Sequence, residues 1–136
     1  MYKEVTERIK LEAQRLGVYF EVKSLPHKPG VKGMFVPSSN KITLVPGCLE
    51  ETICHEVIHF LQIRYSFYLF GQDEKDELSK DKKYVNLWGH FFSEREVVQT
   101  ASAIMDHYPQ VAVPYEIAAY LLQDRPEEVL DILVSL

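Results

Sequence analysis

The sequence predicts an α+β domain made of one helix, three short strands and a run of further helices. Residues 2–16 place apolar side chains three and four positions apart, which is the spacing of an amphipathic helix. Residues 18–45 instead contain short stretches rich in β-branched and aromatic side chains, and the helical spacing returns from Leu49 onward. With 136 residues, of which 46% are hydrophobic, the chain is expected to form a single domain over residues 1–136.

The first helix is predicted to end at Gly17, and three strands are expected after it. They lie at residues 18–23, within residues 30–36 and at residues 41–45, and a turn at residues 37–40 joins the second strand to the third. Short connections of this kind favour a small, mostly antiparallel sheet.

The remainder of the chain is predicted to be mainly helical. Residues 49–68 and 84–107 show the helical spacing, and two further helices are expected to begin near Pro114 and Pro126, because proline is favoured in the first turn of a helix. Residues 71–83 are dominated by charged side chains of both signs. We interpret them as a solvated connector.

Charge and cysteine usage narrow the class of protein. A net charge of -5 argues against a nucleic-acid binder, because such proteins gather a surplus of Lys and Arg on one surface. The sequence lacks both the apolar core of a secretory signal and an apolar run long enough to cross a membrane. Cys48 and Cys54 flank the start of one predicted helix, which argues against a disulfide framework. We therefore expect a cytoplasmic protein with reduced thiols and neither a nucleic-acid nor a membrane partner.

One motif carries chemistry: His55, Glu56 and His59 form the zinc-binding His-Glu-x-x-His pattern inside the helix that periodicity predicts. Positions four apart on a helix project from the same face, so the two imidazoles can converge on one metal ion. The histidines stand outside the apolar arc of this helix that we expect to face the core, which includes Ile53, Val57, Phe60 and Leu61. By chance, a chain of this size shows the pattern on the order of once in several hundred sequences. We predict His55 and His59 as ligands of Zn²⁺ and Glu56 as the general base.

A catalytic zinc usually has a third protein ligand and keeps one position for water. His90, Glu94 and Glu96 are the candidates on the helix predicted at residues 84–107. The apolar stripe of that helix, extended backwards, leads to Glu94, whereas Glu96 falls on its flank. A carboxylate on a buried stripe needs a partner or a metal. Glu94 is the predicted third ligand, and His90 and Glu96 remain alternatives.

The sequence around the motif resembles the ImmA/IrrE-type metallopeptidases, small intracellular zincins in which a helix bearing His-Glu-x-x-His follows a short sheet. The likeness covers about residues 30–107 and includes residues 33–44, residues 50–59 and the helix that begins at Glu94. Glu94 falls at the position of that family's third ligand. The resemblance implies a minimal zincin-like (gluzincin) fold, a zinc cofactor and a peptide or protein substrate, often a regulator.

These features predict a zinc-dependent metallopeptidase that hydrolyses peptide bonds through a metal-activated water. The resemblance implies a specific intracellular regulator as its substrate. Two alternatives stay open. One is a catalytically silent zincin-like module that binds a partner, and the other is a metal-dependent hydrolase of a non-peptide substrate. Glu56 argues against the first, because a purely structural site has no use for a water-activating carboxylate.

Two further parts of the cleft are left open by the sequence. A donor must stabilise the oxygen that gains charge during hydrolysis, and Tyr84, His90, His107 and Tyr108 are candidates near the second predicted helix of the site. The strand at residues 41–45 leads into the motif helix and could pair with an extended substrate, and an ordinary interior strand is the alternative.

Overall fold

The structure is a computed structural model that describes residues 2–65, 94–109 and 112–136. Over these ranges the chain forms five helices and three strands, which confirms the predicted α+β class. In chain order they are α1 (Tyr2–Arg15), β1 (Tyr19–Val22), β2 (Gly33–Val36), β3 (Lys41–Leu44), α2 (Glu50–Arg64), α3 (Glu94–Ile104), α4 (Val113–Leu122) and α5 (Pro126–Ser135). None of these helices is both long and apolar enough to cross a membrane.

The helix boundaries follow local signals in the sequence. Gly17 follows α1 with a φ of 108°, a conformation that glycine adopts without strain at the end of a helix. Pro114 and Pro126 lie in the first turns of α4 and α5, where the missing N–H costs no hydrogen bond. Residues 66–93, which contain the predicted connector and parts of two predicted helices, lie outside the described ranges.

The sheet is mixed rather than mostly antiparallel. β3 lies in the centre, with β1 parallel to it on one side (Tyr19 opposite Lys41) and β2 antiparallel on the other (Gly33 opposite Leu44). The tight turn between β2 and β3 produces the expected antiparallel pair. The connection at residues 23–32 is long enough to carry the chain from β1 across to the far side of β3, which the strand patterns alone do not reveal.

The core lies where the sheet and the helices meet, and α2 is its central element. This helix contacts α1, α4, α5, β2 and β3. The largest fully buried side chains come from α1, β3, α2, α4 and α5 and from the residue before β1: Ile9, Val18, Ile42, Val57, Ile58, Phe60, Leu61, Leu122, Val129, Ile132 and Leu133. A helix packed on so many sides has little freedom to rotate or tilt, so side chains on its remaining face are held in defined positions.

The two faces of α2 divide as the sequence predicts. Ile53, Val57 and Leu61 are buried in the core. His55 and His59 lie on the opposite side and are only partly buried, with side chains 16% and 17% exposed. The core therefore aims the histidine face of α2 toward α4, which packs against it.

Candidate metal centre

His55 and His59 converge with a carboxylate from α4. Their Nε2 atoms are 3.2 Å apart. One carboxylate oxygen of Glu116 lies 3.0 Å from Nε2 of His55, and the other lies 3.1 Å from Nε2 of His59. All three residues are partly buried and offer donor atoms within 4.8 Å of one another, so they form a group that could hold a metal ion.

The spacing of the two imidazoles fits a tetrahedral metal ion. Zn–N bonds of about 2.0–2.1 Å at a tetrahedral angle place two ligand atoms roughly 3.3 Å apart. The Nε2 atoms of His55 and His59 are 3.2 Å apart, and Glu116 approaches each of them at a similar distance. Two imidazoles and one carboxylate are also the donor types found in three-ligand catalytic zinc sites.

Each histidine is oriented by a glutamine on the side away from this centre. Nδ1 of His55 lies 2.9 Å from Oε1 of Gln123, and Nδ1 of His59 lies 2.9 Å from Oε1 of Gln62. The Gln62 amide is oriented in turn, because its Nε2 donates to the Tyr115 carbonyl at 2.9 Å. An amide oxygen can only accept, so Nδ1 of each ring donates to its glutamine. Each Nε2 is left for the centre, where it can donate to Glu116 or, in a neutral ring, bind a metal ion.

The same arrangement concentrates charge in a poorly solvated place. Burial by itself would raise the pKa of Glu116, but the hydrogen bonds with His55 and His59 outweigh it and lower the pKa to about 2. Burial would lower the pKa of His59, and the hydrogen bond and charge of Glu116 reverse this and raise it. The Glu116 carboxylate therefore stays ionised. It stabilises a positive charge near the two rings, which can be a protonated imidazole or a metal ion.

Glu56 lies next to this centre but does not belong to the ligand group. It is only 7% exposed, and its Oε2 is buried without a hydrogen-bond partner in the described part of the chain. Burial raises the pKa of Glu56, while the nearby His59 and His55 oppose the rise. Burying a carboxylate oxygen without a hydrogen-bond partner costs free energy, so its presence here points to a function. Its position suits a base that takes a proton from a water molecule.

β2 approaches the motif helix closely at Gly33. A Cβ at this position would lie 2.8 Å from Cγ2 of Thr52 and 3.4 Å from Cγ of Glu56. The absence of a side chain at Gly33 therefore lets the strand lie directly against α2 beside the predicted base. This contact places an edge strand of the sheet along the site.

Two clefts open on either side of Glu56 and Glu116. The cleft beside His59 has a volume of about 410 Å³ and is mainly apolar, with a lining that includes Met34, Phe35, Pro37, Ile63 and Tyr115. The cleft beside His55 has a volume of about 400 Å³ and is more polar, with a lining that includes Lys32, Thr52, Tyr108, Tyr120 and Gln123. β2 contributes residues to both clefts, so they form two halves of a groove that passes the site.

The structure brings together two of the three predicted ligands and the predicted base, and it adds Glu116. The side chain of Glu94 lies outside the described residues, as does His90, so Glu94 as a metal ligand stays a prediction. Glu96 forms an ion pair with Arg125 instead of joining the group. The sequence contained a signal for Glu116, since it is the one charged residue in the otherwise apolar helix α4.

The apolar stripe used to favour Glu94 differs from the face that α3 buries. Ile104 is buried as expected, but Val98 and Met105 are 57% and 58% exposed. Among the candidate oxyanion donors, His107 is exposed, Tyr108 lines the polar cleft, and Tyr84 lies outside the described ranges.

Comparisons of the chain with protein-family models, with curated proteins and with solved structures gave no match. Function must therefore be inferred from the chemistry of the site. The site contains a three-donor group suited to a metal ion, a buried carboxylate beside it, and a groove open on both sides.

Proposed function

We propose that this protein is a zinc-dependent peptidase in which His55, His59 and Glu116 hold the metal and Glu56 acts as the general base. The observation that carries the proposal is the convergence of three donors next to a buried carboxylate oxygen that has no partner in the described part of the chain. A structural metal site would be closed by a fourth protein ligand and would not need Glu56.

A bound zinc ion would supply Lewis acidity, which polarises a carbonyl group and lowers the pKa of a water molecule. Glu56 takes a proton from that water as the water oxygen bonds to the carbonyl carbon. The same residue then delivers the proton to the leaving amine as the C–N bond breaks. Burial raises the pKa of Glu56 in the direction of neutral pH, and such a pKa suits a group that must both accept and return a proton.

A peptide is favoured as the substrate because the edge of β2 is available along the groove. Val45 donates its N–H to the carbonyl of Lys32, and the antiparallel alternation then turns the backbone groups of Gly33 and Phe35 away from β3. These groups therefore face the side of β2 on which no other strand of the described residues pairs. An extended peptide could pair with them and lie across the site.

For residues 41–45 the sequence left two interpretations open, a strand that pairs with the substrate and an ordinary interior strand, and the structure confirms the interior strand. β3 is the central strand and is paired on both sides. β2 takes its place in the proposal, because it is the edge strand that lies against α2.

The experiment that tests the proposal is the zinc content and zinc affinity of the wild type and four variants. We expect one zinc per chain in the wild type and in Glu56→Gln, and a loss of affinity on the order of 100-fold or more in His59→Ala and Glu116→Gln. Glu94→Gln tests the ligand predicted from the sequence: retained affinity favours Glu116, and a loss as large as that of Glu116→Gln restores Glu94.

Cleavage of a peptide library, followed by mass spectrometry, tests the second half of the proposal. The zinc-loaded wild type should generate new termini that Glu56→Gln, loaded equally with zinc, does not. A wild type that binds no zinc even after supplementation would remove the enzyme proposal entirely. Zinc binding accompanied by hydrolysis of small esters or amides, but not of peptides, would favour the non-peptide hydrolase.

A further inference from the structure

We propose that Tyr120 donates a hydrogen bond to the carbonyl oxygen that gains negative charge during hydrolysis, and that Tyr108 positions it. The inference rests on the proposed function and deepens it, since it names the oxyanion-stabilising group. Tyr108 is one of the four candidates that the sequence offers for this role, and Tyr120 is not among them.

Tyr120 is tied to the metal centre from two directions. It lies one helical turn after Glu116 on α4, so the two side chains leave the same face of that helix. Its ring also meets the ring of His55 edge to face, with centroids 4.9 Å apart and an angle of 82° between the planes. A side chain packed against one ligand and adjacent to another has a fixed position relative to the reacting atoms.

The two tyrosines form a hydroxyl pair at the polar cleft. The hydroxyl oxygens of Tyr108 and Tyr120 are 2.6 Å apart, which is a short hydrogen bond. Both residues line the same cleft as His55, Glu56 and Glu116. A substrate carbonyl that enters this cleft therefore meets the tyrosine pair on the side of the site opposite the apolar cleft.

The positions of the two rings relative to His55 separate their roles. Burial raises the pKa of Tyr108, and its hydrogen bond with Tyr120 and the charge of Glu116 raise it further. Tyr108 therefore stays protonated, and either hydroxyl can donate in this bond. Because the Tyr120 ring is the one that packs against His55, we assign Tyr120 as the donor to the substrate and Tyr108 as the donor to Tyr120. In this arrangement the hydrogen of Tyr120 is available to a substrate oxygen, because the Tyr120 hydroxyl has no second partner in the part of the chain that the structure describes. Accepting one hydrogen bond makes a hydroxyl a better donor of the next.

The test uses acetohydroxamic acid, a small ligand for zinc whose charged oxygen stands in for the developing oxyanion. Zinc affinity is measured first, by competition with a chelator, and acetohydroxamate affinity is then measured by calorimetry on the zinc-loaded protein. We expect Tyr120→Phe to bind acetohydroxamate roughly tenfold more weakly and to keep its zinc affinity, since a hydrogen bond to a charged group is lost. Tyr108→Phe should show a smaller loss, because it removes the positioning bond and leaves the donor.

Tyr19→Phe is the matched control, since Tyr19 is an exposed tyrosine on β1, and its acetohydroxamate affinity should equal that of the wild type. Equal acetohydroxamate affinity in Tyr120→Phe and the wild type would overturn the inference. Loss of zinc from Tyr120→Phe would also overturn it, because the tyrosine would then support the ligands. A zinc-loaded wild type that does not bind acetohydroxamate refutes it as well, whereas failure of the proposed metal site appears earlier, as absent zinc.

Discussion

The close contact between β2 and α2 predicts that Gly33→Ala destabilises the protein through a specific clash. The new Cβ would lie 2.8 Å from Cγ2 of Thr52 and 3.3 Å from the backbone oxygen of Thr43. Overpacking of this kind costs about 1–3 kcal/mol. Replacing glycine by alanine also restricts the unfolded chain, which offsets about 0.4–1 kcal/mol of that cost. We expect a net loss of about 1 kcal/mol in the free energy of unfolding.

Denaturant unfolding of four proteins measures this clash: the wild type, Gly33→Ala, Thr52→Ser and the double variant. Serine lacks Cγ2, so Thr52→Ser should restore part of the stability lost in Gly33→Ala, and the two changes should be non-additive. The contact with the Thr43 oxygen remains, so the recovery should be incomplete. A Gly33→Ala protein as stable as the wild type, or additive effects in the double variant, would refute the close approach of β2 to α2.

Further outcomes are expected at three residues. Phe60→Ala should reduce the free energy of unfolding by about 3–5 kcal/mol in denaturant titrations, because Phe60 is completely buried and meets Phe35 edge to face; a loss below about 1 kcal/mol would contradict this packing. Gln62→Leu should weaken zinc binding about 10–100-fold in a chelator competition, because it removes the acceptor that orients His59, and unchanged affinity would argue against that role. Cys54 should react with a thiol reagent at pH 8 only after unfolding, because it is buried and its pKa is raised to about 12. Since the folded-state pKa of Cys54 is the higher one, its contribution to stability should be complete below about pH 9 and decline as the pH rises toward 12; rapid labelling of the native thiol would contradict its burial.

The parts of the fold that were predicted well are those decided by neighbours in the sequence. The spacing of Ile53, Val57 and Leu61 predicted which face of α2 is buried, and the structure confirms it. Gly17 and Pro126 marked a helix end and a helix start for local steric reasons. The pairing of the strands was predicted less well, because strand order depends on where a connecting loop crosses the sheet, and residue pattern does not record that path.

The residues of the site also differ in whether local sequence is enough to place them. His55, Glu56 and His59 lie within one turn of a helix, so their common position follows from helical geometry alone, and the sequence was enough to identify them. Glu116 is distant in the chain and reaches the histidines only because α4 packs against α2. Periodicity tells which residues share a face of a helix, but the helix that this face will meet depends on how all the buried surfaces fit together, and that information exists only in the folded chain.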